Sequence, residues 1–265
     1  SEKKFLKTKI IDFYENITYK KIKENWYIEI FTNNIFLEKN FLSNVLNLKI
    51  KKVEKIKKRN WVAFYKKNDC EFKIGNFIIS QNVKLKKNHI NIPHSKAFGT
   101  GQHPSTQLAI LNLEKILMLH RKKINFLDLG TGTGILSFII SKVTKKKIIS
   151  IDSDFESEKC FYRNAKLNNV NFYRFYRCNG FNSKYLRNQK FNLIVSNILL
   201  RPLKKLVKNF KNHLSKSGYL ILSGILNSQK NDIISLYRKF NLKLIKCIYI
   251  EDWVSLIFKN YDKDK

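Results

Sequence analysis

Cysteine is scarce in this chain: Cys70, Cys160, Cys178 and Cys247 stand far apart, with no C-x-x-C pair among them. Such spacing supplies neither a zinc site nor a disulfide framework, so reduced thiols and no bound metal are expected. Long apolar runs are missing too. Stretches such as Ile135–Ile140 and Tyr219–Leu222 fall far short of the roughly 18 residues a membrane span needs. No apolar segment with a small-residue cleavage site opens the chain, so secretion is not indicated and a cytoplasmic protein is expected. Glycine and proline number only nine and three. What is plentiful is apolar residue, at 43% of 265, enough to exclude wholesale disorder. The length suits one large domain, or a domain of about 180–190 residues with a small companion.

Acidic residues are few as well. Asp and Glu total 20 against 52 Lys and Arg, a net charge of +32. An excess of that size points towards a polyanionic partner. Yet the lysines spread along the whole chain, which is also rich in Asn, Ile, Phe and Tyr. Those are the shifts expected when an AT-rich genome chooses among tolerable codons, so both readings stay open. Attraction to RNA follows from either, and it would weaken steeply with salt.

Two textures divide the chain. Residues 1–85 hold one glycine, Gly75, no proline, and basic runs such as Lys49–Arg59. Alternation predicts strands at Trp26–Phe31, Lys49–Ile56 and Phe77–Ser80, with helical spacing over Ile35–Leu46. This reads as a small α+β domain, followed by a linker and covering loop at 86–103. From 104 to 265 strands and helices alternate. Pro104 sits where a first helical turn tolerates proline. Strands are expected at Ile124–Leu129, Lys147–Ile151, Asn171–Tyr176, Phe191–Ser196 and Tyr219–Ser223, with helices at Gln107–Leu119, Ile135–Val143, Glu156–Asn168, Leu203–Leu214 and Ser228–Phe240. That order implies an α/β, mostly parallel sheet covered on both faces. Leu242–Ile250 and Trp253–Phe258 are separated only by Glu251–Asp252, too short for a crossover helix, so the sheet ends in an antiparallel hairpin.

Five of the nine glycines are Gly99, Gly101, Gly130, Gly132 and Gly134. In a glycine-poor chain that clustering asks for a reason, and positive φ or close approach to a ligand supplies one. Asp128-Leu-Gly-Thr-Gly-Thr-Gly134 follows a predicted strand and opens a predicted helix, the first turn of a Rossmann-like fold. The dinucleotide pattern G-x-G-x-x-G would need glycine at 135, where Ile135 stands. The spacing is instead G-x-G-x-G, the form seen in S-adenosylmethionine-dependent methyltransferases. Asp152 closes the next strand, 22 residues after Gly130, where a carboxylate can accept both ribose hydroxyls. Asp154 is better placed to cap the following helix. Asn197 ends the fourth strand, where its carboxamide can orient an incoming amine. The competing role for Asn197 is a cap on the helix that begins near Pro202.

Four segments together resemble one family. They are Ala97-Phe-Gly-Thr-Gly-Gln-His-Pro-Ser-Thr106, Leu127-Asp-Leu-Gly-Thr-Gly-Thr-Gly-Ile-Leu136, Ser196-Asn-Ile-Leu-Leu-Arg-Pro-Leu203 and Leu222-Ser-Gly-Ile-Leu226. They look like the ribosomal protein methyltransferase family called PrmA, and Asn164 and Glu251-Asp-Trp253 resemble it too. The resemblance implies a Rossmann-like class I methyltransferase with a seven-stranded sheet and a small N-terminal domain that docks the substrate protein. It implies S-adenosyl-L-methionine as cofactor and methylation of lysines and the N-terminal amine of L11, the large-subunit protein of the ribosomal stalk base. Contact with ribosomal RNA through the basic surface is a further expectation. Carried over residue by residue, the cofactor-binding positions are Thr106, Gly130, Asp152 and Asn197, with Phe98, Gly99 and Gly132 nearby. Asn197 and the backbone carbonyl of Ile198 would orient the amine, with no side-chain general base. The chain departs from the pattern at Ser105, Phe155 and Ser196, where threonine, proline and alanine are usual. Two other functions compete: a class I methyltransferase acting on RNA, and a non-catalytic ribosome-assembly factor. Against the amide and base amino-group methylases, Asn197-Ile-Leu-Leu lacks their aromatic clamp; against the assembly factor, the glycine loop and Asp152 are intact.

Overall fold

The computed structural model describes residues 17–22, 25–30, 71–81, 89–95, 97–119 and 125–261. The chain divides into two compact units, Ser1–Arg59 and Asn60–Lys265. In the first, β1 (Ile17–Ile22) and β2 (Asn25–Ile30) pair antiparallel, Ile17 opposite Ile30 and Ile22 opposite Asn25. The strand expected at Trp26–Phe31 is β2. β1 was not foreseen, because I-T-Y-K-K-I lacks clean alternation. The helix expected at Ile35–Leu46 and the strand at Lys49–Ile56 lie outside the described residues.

The second unit is built on a seven-stranded sheet. Its strands are β6 (Phe126–Leu129), β7 (Ile148–Asp152), β8 (Tyr173–Arg177), β9 (Phe191–Asn197), β10 (Leu214–Leu226), β11 (Leu242–Ile250) and β12 (Trp253–Asn260). They lie in the order β11-β12-β10-β9-β6-β7-β8. The pairs among β8, β7, β6, β9 and β10 are all parallel, and β12 runs antiparallel to both β10 and β11. The expected hairpin is therefore present, and it turns at Glu251–Asp252. The chain leaves β6 towards β7 on one side, and β9 then returns to β6 on the other. That reversal opens a crevice at the carboxyl ends of β6 and β9, the place where open α/β sheets bind ligands.

Period-2 alternation sorts the strand side chains onto two faces. Phe126, Ile148, Leu193, Val195 and Ile221 meet helices α1 (Pro104–Leu119), α2 (Ile135–Thr144) and α3 (Phe155–Leu167). Leu127, Ile151, Ile194, Leu220 and Leu222 meet α4 (Leu200–His213) and α5 (Lys230–Arg238). On α4 the stripe is Leu203, Val207 and Phe210, all buried, and each contributes about 2 kcal/mol by leaving water. α1 begins at Pro104 itself, as its fixed φ favours.

A second, three-stranded sheet consists of β3 (Phe72–Ile74), β4 (Phe77–Ser80) and β5 (His89–Asn91). The sequence assigns residues up to 85 to the N-terminal domain. Here Ile79, Ile90 and Ile92 are fully buried in the same core as Leu113 of α1 and Ile139 of α2. Asn91 and Asn168 also exchange backbone-to-side-chain hydrogen bonds, both 2.7 Å. These strands sit with the α/β unit because their apolar face is completed by α1 and α2.

Candidate active site

The glycine turn leaves β6 at Leu129 and is stitched to the neighbouring strand by two bonds. Gly130 and Thr131 both donate their N–H to the Ile151 carbonyl, at 2.8 and 3.0 Å. Positive φ at Gly130 and Gly132 (77° and 52°) reverses the chain within four residues, a conformation that side chains with a Cβ resist. Space is as decisive as φ. A Cβ on Gly130 would lie 2.3 Å from Cγ2 of Ile198, and one on Gly132 would lie 2.3 Å from the Phe98 carbonyl oxygen.

Asp152 ends β7 beside this turn. Its Oδ2 accepts the Gly132 N–H at 2.8 Å and its Oδ1 accepts the Asp154 N–H at 3.0 Å. A carboxylate offers about four acceptor sites, so each oxygen keeps capacity for a further donor. Asp154 caps α3, accepting from the Ser157 N–H at 2.9 Å. Those bonds hold its carboxyl below the usual carboxylate range.

Asn197 is 7% exposed. It does not cap α4, whose N-cap is Leu199. Instead its Nδ2 donates to Oγ1 of buried Thr106 at 3.1 Å. Its Oδ1 is buried and has no hydrogen-bond partner. Gly224 lies alongside: a Cβ there would stand 2.4 Å from the Ile198 carbonyl oxygen and 3.3 Å from Asn197 Oδ1. Two buried serines brace the same strand ends, Ser196 donating to the Leu129 carbonyl (2.8 Å) and Ser223 to that of Ser105 (2.7 Å).

The segment before α1 folds over the glycine turn. Thr133 donates its N–H to Phe98 O at 3.0 Å and its hydroxyl to Gly99 O at 2.5 Å. Phe98 keeps 52% of its surface exposed, unusual for phenylalanine in a well-packed unit. Its ring stands 5.4 Å from His103, which in turn meets Trp253 edge-on at 4.6 Å. Burial lowers the His103 pKa by more than the nearby Glu251 carboxylate raises it, so the imidazole is neutral at pH 7. Its Nδ1 is engaged by Ser105, 2.7 Å from the hydroxyl and 3.2 Å from the backbone nitrogen.

The eight sequence-derived positions, Phe98, Gly99, Thr106, Gly130, Gly132, Asp152, Asn197 and Ile198, thus lie at or over the carboxyl ends of β6, β7 and β9, tied by the contacts Gly132–Asp152, Gly132–Phe98, Thr133–Gly99, Gly130–Ile198 and Asn197–Thr106. Sequence reasoning assigned no role to Asp128, which is fully buried beneath the turn. Its Oδ2 accepts from the Thr131 hydroxyl (2.6 Å) and from the Ser137 hydroxyl and N–H (2.7 and 3.1 Å). Burial pushes its pKa up to about 6, and its Oδ1 has no partner. The available signal was one acid inside the apolar strand F-L-D-L. Asn164 is a second such residue, donating to the Thr133 carbonyl at 2.9 Å from α3. Among the described residues no three His, Cys, Asp or Glu side chains gather where they could hold a metal, and no helix is long and apolar enough to cross a membrane.

A family model described as ribosomal protein L11 methyltransferase (PrmA) matches residues 6–261. The ribosomal protein L11 methyltransferase of Prochlorococcus marinus (strain MIT 9312) is 35% identical over 215 residues, covering 76% of this chain and 69% of that protein. Its counterpart in Campylobacter jejuni subsp. doylei is 34% identical over 251 residues, covering 91% and 82%. Among solved structures, the ribosomal protein L11 methylase of Lactobacillus delbrueckii subsp. bulgaricus superposes with a TM-score of 0.63 at 26% identity, over 71% of this chain and 96% of that one.

Proposed function

The chain belongs to the ribosomal protein L11 methyltransferase family, and from that premise we propose that it methylates amines of L11, at the ribosomal stalk base, using S-adenosylmethionine. One observation carries the site assignment. Asn197 Oδ1 is buried without a partner at the carboxyl end of β9, while its Nδ2 is anchored on Thr106. A buried acceptor left unpaired costs about 1–3 kcal/mol, and an amine N–H of the substrate would remove that cost. The same anchor fixes which way the carboxamide points, so the amine would meet a preset acceptor.

The residues present fit the cofactor. Gly130 and Gly132 leave backbone bare at the turn, and Asp152 retains acceptor capacity on both oxygens for paired hydroxyls. Phe98 and Gly99 would cover it, and Thr106 would line it beside Asn197. Bound there, S-adenosylmethionine supplies an electrophilic methyl group and a neutral leaving group. The chain's contribution is then alignment and exclusion of water. Asn197 Oδ1 and the Ile198 carbonyl would accept the amine's hydrogens and aim its lone pair. A free lysine has a pKa of about 10.4, and entry into this buried crevice favours the neutral amine. The N-terminal residues, divided from the sheet unit at Arg59, would supply the docking surface for L11. Ribosomal RNA is a further partner under this reading.

The test is calorimetric titration with S-adenosylmethionine, followed by transfer of labelled methyl to purified L11. Asn197→Ala should lower turnover by about 100-fold, while Asp152→Ala should mainly weaken cofactor binding. Label on RNA alone, or near-normal turnover in Asn197→Ala, would overturn the reading.

A further inference from the structure

Away from the crevice, the β8–β9 connection and the carboxyl end of α4 border an open cavity of about 520 Å³. Three cations line it, Lys184, Arg187 and Lys190, together with His213 and several side-chain amides, and none of its lining residues is acidic. All three cations are exposed. Lys190 donates to the Asn212 carbonyl at 2.6 Å, which ties the connection to α4 and offsets the negative end of that helix. Within it, His213 stacks on Phe181 at 4.4 Å. Tyr185, half exposed in the same connection, stacks on Tyr176 at 4.7 Å and 11°.

The cavity continues into a stripe. Because Leu203, Val207 and Phe210 face the sheet, Lys205 and Lys208 are turned outward, and α4 contains no acidic residue. From Lys205 the stripe runs about 10 Å to Asn212 at the cavity, over the last two turns of the helix. We propose that this cavity and the outer face of α4 form a docking site for the phosphate backbone of RNA, separate from the methyl-transfer crevice. Cations interleaved with amides and an aromatic ring match phosphates, sugar hydroxyls and bases. A membrane-binding helix would instead set apolar side chains beside its cations, and the outward residues of α4 are cations and an amide. The inference does not depend on which amine is methylated.

The experiment is fluorescence anisotropy of the full chain with a fluorescein-labelled 20-nucleotide RNA across a potassium chloride series. Lys184→Glu, Arg187→Glu and Lys208→Glu combined should weaken binding at least tenfold. They should also reduce the slope of log affinity against log salt by about 2, the loss expected for three phosphate contacts on a single strand. A control of equal net charge, Lys73→Glu, Lys147→Glu and Lys243→Glu, should change affinity less than threefold. Equal losses in both triples would mean that diffuse charge alone binds RNA, and the site would be wrong. No binding by the wild type, or binding to phosphatidylserine vesicles in place of RNA, would also overturn it. If the reversed-charge protein fails to fold, Lys184→Gln with Arg187→Gln is measured in its place. Methyl transfer to L11, assayed in parallel, should be unchanged in the cavity variants. Its absence from the wild type would refute the proposed enzyme activity and not this site.

Discussion

Asp128 offers a sharp test of how the glycine turn is held. Its carboxyl moves from 3.8 in the unfolded chain to about 6 when buried, and at about 1.4 kcal/mol per pH unit that is about 3 kcal/mol. The sign follows from linkage: the folded state binds this proton more tightly, so stability is withdrawn as pH rises. The withdrawal begins near the unfolded value and is complete above about 6. Asp128→Asn removes the ionisation and keeps an oxygen for the Thr131 and Ser137 donors now bound by Oδ2. Its amide nitrogen would fall where Oδ1 lacks a partner, a cost of about 1–3 kcal/mol that does not change with pH. The variant should therefore gain about 2.4 kcal/mol relative to wild type between pH 4 and 7.5, whatever its offset at pH 4. Urea unfolding of both proteins across that range measures it, and the difference cancels the titrating groups not coupled to Asp128, Asp152 being the coupled one. A flat difference would show that the hydrogen bonds already compensate the buried charge, and the reasoning would fail.

Two further outcomes follow from close contacts. Gly132→Ala should abolish measurable cofactor binding, because its Cβ would press on the Phe98 carbonyl in addition to a cost of about 1–2 kcal/mol for left-handed backbone. Calorimetry with near wild-type affinity would contradict it. Tyr237 is fully buried and donates its hydroxyl to the Leu203 carbonyl at 2.8 Å. Tyr237→Phe should lower stability by about 1 kcal/mol, seen as a Tm lower by roughly 2–4 °C; an unchanged Tm would mean that bond contributes nothing.

Much of the second unit was legible from local patterns. The short apolar runs F-L-D-L and F-N-L-I-V-S-N predict strands, and the glycines at 130, 132 and 134 predict a turn that a Cβ would block. The expected elements from α1 to β12 are all found, with ends displaced by a few residues. The largest difference is β10, which starts at Leu214 and not Tyr219, because Leu214 pairs with Phe191 ahead of an irregular register. The Asn197 role was ambiguous in sequence, since an Asn before a helix is a good cap. Only its bond to Thr106, 91 positions away, separates the two readings.

Residues close in sequence determined the strand–turn–helix units and the chemistry offered at their ends, because φ preference and apolar period act over a few positions. Tertiary structure decided what those units face. It drew β3–β5 into the core beneath α1, placed the Asp128 carboxylate where water cannot reach, and gathered Lys184, Arg187 and Lys190 with the end of α4 around one cavity. Burial and charge density depend on distances in space between segments far apart in the chain, and composition spread evenly along that chain carries no record of them.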